Sequence, residues 1–165
     1  MLRLGILLHL NWLGVVACAA QGFVLLAALL SGITSLLSLR MHPDCSLRMG
    51  AVALFIGLAG DVGVVALGGL EFTTGVTLLP VPLWMGGLWL AFGTTLPAFA
   101  SFFSRRMWLA PLLGVAGGVG AYTSASSFGA VDIGAAGRLT MVSSVGLMWG
   151  LVFPLLIYLS KRKFR

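Results

Sequence analysis

Asp61 stands inside a long apolar run, Met49 to Gly69, where a carboxylate has no water to ionise into. An ionised acid at that depth of a membrane costs roughly 2.5–3.5 kcal/mol on insertion scales. It must therefore carry its proton or find donors. Two readings follow. Asp61 is either a functional acid or the acceptor of a structural bond between helices. Hydroxyls expected at matching depth are Thr94 and Thr95 in the fourth apolar stretch, Tyr122, Thr123, Ser124, Ser126 and Ser127 in the fifth, and Thr140, Ser143 and Ser144 in the sixth. The candidate polar cavity is Asp61, Thr94, Thr95, Tyr122, Ser124, Ser143 and Ser144. A Ser or Thr in a membrane helix commonly bonds its own helix carbonyl, so only their gathering around an acid carries weight.

Other polar residues say less. Asn11 is expected as a polar contact between helices. His9, two positions away, faces another side of the same helix, so the two are not expected to share a site. His42, Asp44 and Cys45 are too few and too close for a metal site, and no metal or cofactor is expected. Glu71 is expected at a solvated surface. No nucleophile triad, ligand cluster or phosphate loop is written in the chain, so no catalytic residue is assigned. For an enzyme, only Tyr122 would stand as a second group beside Asp61.

The elements that must position these residues follow from composition. The chain has 165 residues, 59% of them apolar and 8% charged. A soluble domain cannot cover itself with so few charges. At about 20 residues per membrane span there is room for six helices. The spans expected are Leu4–Ala20, Phe23–Leu39, Met49–Gly69, Leu83–Phe103, Met107–Val131 and Leu139–Leu159. The fold class expected is therefore all-α, one polytopic six-helix domain over 1–165. Arg3 followed by an apolar run and Val16-Ala17-Cys18 loosely looks like a lipoprotein leader, but the segment is read as the first span.

The net charge of +6 does not point to nucleic acid, because the basic residues edge the spans rather than forming a patch. Arg3, Arg40, Arg48, Arg105, Arg106, Lys161, Arg162, Lys163 and Arg165 fall on one side; only Arg138 falls on the other. Basic loops stay in the cytoplasm. Both termini are therefore expected there, with Glu71 and Asp132 outside. The Gln21-Gly22 break is so tight that one long helix is the alternative to a first hairpin. Cys18 and Cys45 make no disulfide framework and are expected reduced.

Small residues recur at helical spacing: Gly114 with Gly118, Gly146 with Gly150, and Ala53, Gly57, Asp61 and Gly68 near one face. Such faces let helices approach closely, within one bundle or between copies. Pro97 and Pro154 lie inside spans and are expected to kink them. Trp84 and Trp108 are expected near the interfaces, and Trp89 and Trp149 deeper, packed between helices.

The segment Pro80-Val81-Pro82-Leu83-Trp84-Met85-Gly86-Gly87-Leu88-Trp89-Leu90-Ala91-Phe92-Gly93-Thr94-Thr95-Leu96, preceded by Leu79, resembles the hallmark of a family of small bacterial inner-membrane proteins. That family is known only as a domain of unknown function. Gly57 to Asp61 is similar to its glycine-then-aspartate helix, and Gly117-Gly118-Val119-Gly120-Ala121-Tyr122 to its Gly-Gly-Pro-x-Ala-Tyr stretch. Pro97-Ala98-Phe99 departs from the polar residues usual there, and Val119 replaces a frequent proline. The resemblance implies a multi-pass protein of the bacterial inner membrane and, through neighbouring genes for modifying unsaturated fatty acids, a link to lipid. It implies no catalytic residues.

Three functions are open on these grounds: a non-catalytic subunit or assembly partner of a membrane complex, which ranks first; a small transporter or lipid-handling protein built on the Asp61 cavity; and a lipid-modifying enzyme. The partners expected are membrane lipids and a membrane protein or a second copy of the chain.

Overall fold

A computed structural model describes residues 1–72, 80–103 and 106–161. The parts of the reading above that rest on Leu79, Ser104, Arg105 and the 162–165 tail lie outside these residues. Among the described residues the fold is all-α with six helices: α1 Leu2–Ala20, α2 Val24–Met41, α3 Leu47–Ala66, α4 Leu83–Phe99, α5 Leu109–Ser127 and α6 Gly137–Lys161. Four of them, α1, α2, α3 and α6, are long and apolar enough to cross a membrane. Their outward faces carry leucines and isoleucines such as Leu25, Leu29, Ile33 and Leu36, as contact with lipid requires.

The first break is a true hairpin. Gly22 takes a positive φ of 78°, and the Phe23 N–H bonds the Cys18 carbonyl at 2.8 Å. This is the glycine stop that caps a helix and turns the chain. α1 and α2 are therefore separate helices that pack against each other. Gly68 ends α3 the same way (φ 71°), with the Gly69 N–H on the Val64 carbonyl at 3.0 Å. This stops α3 at Ala66, short of the expected Gly69, and places Gly68 in the turn rather than on the Asp61 face. α4 and α5 are likewise shorter than expected at their ends, and α6 longer at both.

A two-stranded antiparallel ladder adds to the helices. β1 (Leu70–Glu71) pairs with β2 (Asp132–Ile133), Leu70 opposite Ile133 and Glu71 opposite Asp132. Together with Gly134 N–H on Gly69 O at 3.1 Å it ties the end of α3 to the start of α6. The opposite end of the bundle is tied separately. Leu4, Cys45 and Ala98 form a small apolar cluster there. Ser46 N–H bonds Thr94 O at 3.0 Å, and Lys161 Nζ donates to Phe103 O at 3.1 Å. Ser46 also caps α3, its hydroxyl accepting from the Met49 N–H.

α4 sits at the centre, against α1, α2, α3 and α6. Glycine makes this possible. A Cβ on Gly57 of α3 would overlap the Trp89 ring, and one on Gly93 of α4 would overlap Ala53. On the other side α5 packs on α6, with Gly114 and Gly118 under Trp149 and with Val115 and Val119 over Gly146 and Gly150. These are the close approaches that small residues permit. α4 ends two residues after Pro97, whereas α6 runs on through Pro154.

Candidate functional site

Asp61 is completely buried (0% exposed) on the face of α3 that meets α4. Trp89 of α4 donates its indole N–H to Asp61 Oδ2 at 2.7 Å. Tyr122 of α5 donates its hydroxyl to Oδ1. Each carboxylate oxygen thus has one donor from a different helix. Gly57 lies one turn before Asp61 and leaves the space that the Trp89 ring fills. Met85 Sδ stands 3.9 Å from the Tyr122 oxygen. Trp149 of α6 stacks on Trp89, ring centres 4.7 Å apart, and Phe92 meets both rings edge-on. An acid, a phenol and an aromatic stack thus join α3, α4, α5 and α6.

Of the residues expected in a polar cavity, the structure brings only Tyr122 to Asp61. Four of the others turn back on their own helices. Thr94 donates to Leu90 O, Thr95 to Phe92 O, and Ser144 to Thr140 O and Met141 O. Ser143 bonds Leu139 O and Thr140 O and is exposed, as is Ser124. The reason is the local alternative open to every helical hydroxyl, a carbonyl three or four residues back. Trp89 was expected only to pack, yet it is the second donor.

A cleft of about 340 Å³ lies beside this junction, between α1 on one wall and α5 on the other, with α4 and α6 behind. Trp89, Tyr122 and Trp149 line it; Asp61 sits behind them and does not. Gly5 of α1 and Gly117 of α5 also line it, and a Cβ on either would meet nothing within 4 Å. A second groove of about 890 Å³ adjoins it toward the start of α1 and the end of α4, sharing Gly5, Leu8, His9, Phe92 and Phe153. Among the described residues, no Lys, Arg, Asp or Glu side chain lines either space.

Residues 2–155 match a family described as "Protein of unknown function (DUF2878)". The chain belongs to this family. The family's description carries no activity to compare with the site. No curated protein and no solved structure matches the chain.

His9 and Asn11 both border the cleft, against the expectation that they could not share a site. They do so at different depths. Asn11 is buried (5% exposed) and its Oδ1 accepts from Thr34 of α2 at 3.1 Å, whereas His9 is exposed and stacks on Trp12. Asn11 thus makes an interhelical contact, but its Nδ2 has no partner. Trp84 Nε1, also at a cleft residue, has none either. Among the described residues, no group of three or more His, Cys, Asp or Glu gathers into a possible metal site.

Proposed function

We propose that this is a six-span membrane protein that holds the apolar chain of a membrane lipid in the cleft between α1 and α5. One observation carries the reading: two adjoining spaces, apolar in their walls and free, among the described residues, of Lys, Arg, Asp and Glu side chains, flanked by helices apolar enough to face lipid. A groove bordered by membrane helices meets acyl chains before anything else. Its aromatic walls offer an occupant dispersion contacts along its whole length. Asp61 in this reading does not touch the occupant. It fixes Tyr122 and Trp89, which form part of the wall.

Six crossings are supported by the central place of α4, whose 17 residues give about 26 Å of helix. That lies at the short end of what a span needs. The basic residues support cytoplasmic termini in a bacterial inner membrane. The test of the lipid reading is filling the cleft. Gly117→Trp and Gly5→Trp place an indole in open space and remove a helix-weakening glycine. Each should leave the bundle folded and reduce lipid retained through purification. Retention unchanged in both variants would refute the reading.

The subunit reading stands second, on the wide apolar faces of α1 and α2. Lipid contact requires the same faces, so co-purification of a stoichiometric membrane partner is what would favour it.

A further inference from the structure

The apolar spaces beside α1 end at a basic rim. The larger one, about 890 Å³, is bounded there by Met1 and Leu2 at the start of α1 and by Phe99, Phe102 and Phe103 around the end of α4. Each of the last two holds a cation. The Arg106 guanidinium lies over the Phe102 ring, 5.5 Å from its centre, and Lys161 Nζ donates to the Phe103 carbonyl at 3.1 Å. Both cationic residues are exposed. A cation–π contact uses none of the guanidinium N–H donors. An ammonium has three donors, and Lys161 spends one on this carbonyl and a second on Met107 Sδ at 3.8 Å. The α-amino group of Met1 adds a third cation to the rim.

The chain has four acids, and three of them lie far from this rim. Asp61 is enclosed at its junction, and Glu71 faces Asp132 in the ladder at the other end. Asp44 is at this end, on the α2–α3 loop, with its carboxylate 3.8 Å from the His42 imidazole. Basic residues edge every loop on this side of the membrane. Arg40 and Arg48 meet that rule without lining either space, whereas Arg106 and Lys161 are fixed on groove residues. A basic pocket between membrane helices is what a negative lipid headgroup binds.

The shape agrees. From Leu2 to Val16 the two spaces follow α1 for about 21 Å. That exceeds the hydrocarbon depth of one leaflet, about 15 Å. The wide space is at the basic end and the narrower one, about 340 Å³, lies deeper. A phospholipid is widest just below its headgroup and narrows to the tip of a chain. Extending the lipid reading on which it rests, we infer that the occupant is an anionic phospholipid of the leaflet at the basic end. Its phosphate is held by Arg106, Lys161 and the Met1 amino group, and its chain runs along α1 toward Trp84. In the orientation proposed above, that is the cytoplasmic leaflet.

The experiment is native mass spectrometry of the full chain in a glycoside detergent. It is offered equal amounts of palmitoyl-oleoyl phosphatidylglycerol and palmitoyl-oleoyl phosphatidylcholine, whose chains are the same and whose net charges differ. Wild type should favour the phosphatidylglycerol adduct by about five- to thirtyfold, as one or two basic residues at a membrane surface allow. Arg106→Gln/Lys161→Gln should abolish the preference and still hold lipid. Arg40→Gln/Arg48→Gln should keep it; equal loss there would make the effect one of general surface charge and overturn the inference. Arg106→Lys/Lys161→Arg, which retains both charges, should also keep it; loss there would assign the effect to structure and overturn the inference too. Oleate that displaces phosphatidylglycerol at equal concentration would overturn the phospholipid in favour of a single-chain acid. Equal wild-type binding of the two phospholipids, both reduced by Gly117→Trp, overturns the anionic headgroup and leaves the lipid-filled cleft intact. No lipid adduct at all overturns both.

Discussion

The Tyr122 hydroxyl reaches the Asp61 carboxylate across 61 positions of sequence, and by that bond α5 is tied to α3. α5 otherwise packs almost wholly on α6. The bond therefore sets one wall of the cleft as well as satisfying a buried acid.

Removing it should loosen α5. Tyr122→Phe keeps the ring and deletes the donor, and should destabilise the protein by about 1–3 kcal/mol, the cost of a buried acceptor left short. Asp61→Leu should cost at least as much, since it strands the Trp89 N–H and the Tyr122 hydroxyl together. Asp61→Asn should be mild. Its oxygen can accept from Trp89, and its amide can donate to the Tyr122 oxygen, which accepts as readily as it donates. Reversible unfolding in mixed micelles measures all three. If Asp61→Asn proves as damaging as Asp61→Leu, the two-donor account of this junction fails.

Half of this junction was legible in the sequence. An acid deep in an apolar stretch demands partners, and Tyr122 was among those at matching depth. Trp89 was missed although a signal existed: an indole N–H inside a span needs an acceptor, and Asp61 is the acid at that depth. The Ser and Thr residues were over-read, because a helical hydroxyl is satisfied locally whatever lies across from it. The helices were legible from hydropathy. The β1–β2 ladder was not, because two residues per strand carry no periodicity.

The glycines divide into two kinds with opposite expectations. Gly57→Ala and Gly118→Ala push a methyl into the rings of Trp89 and Trp149 and should each cost about 1–3 kcal/mol. Gly117→Ala and Gly120→Ala meet open space and should be neutral or stabilising by up to about 1 kcal/mol. The same unfolding series ranks them. A neutral Gly57→Ala would contradict the α3–α4 contact.

Cys45 offers a check on the loop between α2 and α3. Burial, helped by Asp44, pushes its thiol pKa above the ordinary thiol value. The folded thiol therefore holds its proton more tightly than the unfolded one. Any stability from this difference is present below the ordinary thiol pKa and is lost as pH rises past it. Alkylation at neutral pH should be slow in the folded protein and rise only at more alkaline pH than a free thiol requires. Labelling as fast as a free thiol would mean that Cys45 is not enclosed with Leu4 and Ala98.

Orientation is open to cysteine scanning. Impermeant reagents added outside the cell should label cysteines placed at the exposed positions Glu71, Asp132, Ala135 and Ala136, which share one end of the bundle through the ladder. Cysteines at the exposed positions Met41, Pro43, Asp44 and Leu47 should label only after the membrane is opened. Outside labelling of 40–48 would reverse the orientation.

The lipid-filled cleft is tested most directly by native mass spectrometry of the full chain, released from one detergent beside Gly117→Trp and Gly5→Trp. The account predicts a wild-type population carrying one tightly held lipid, and loss of that adduct in both variants while each stays folded. Wild type free of lipid, or variants that keep the adduct undiminished, would contradict it.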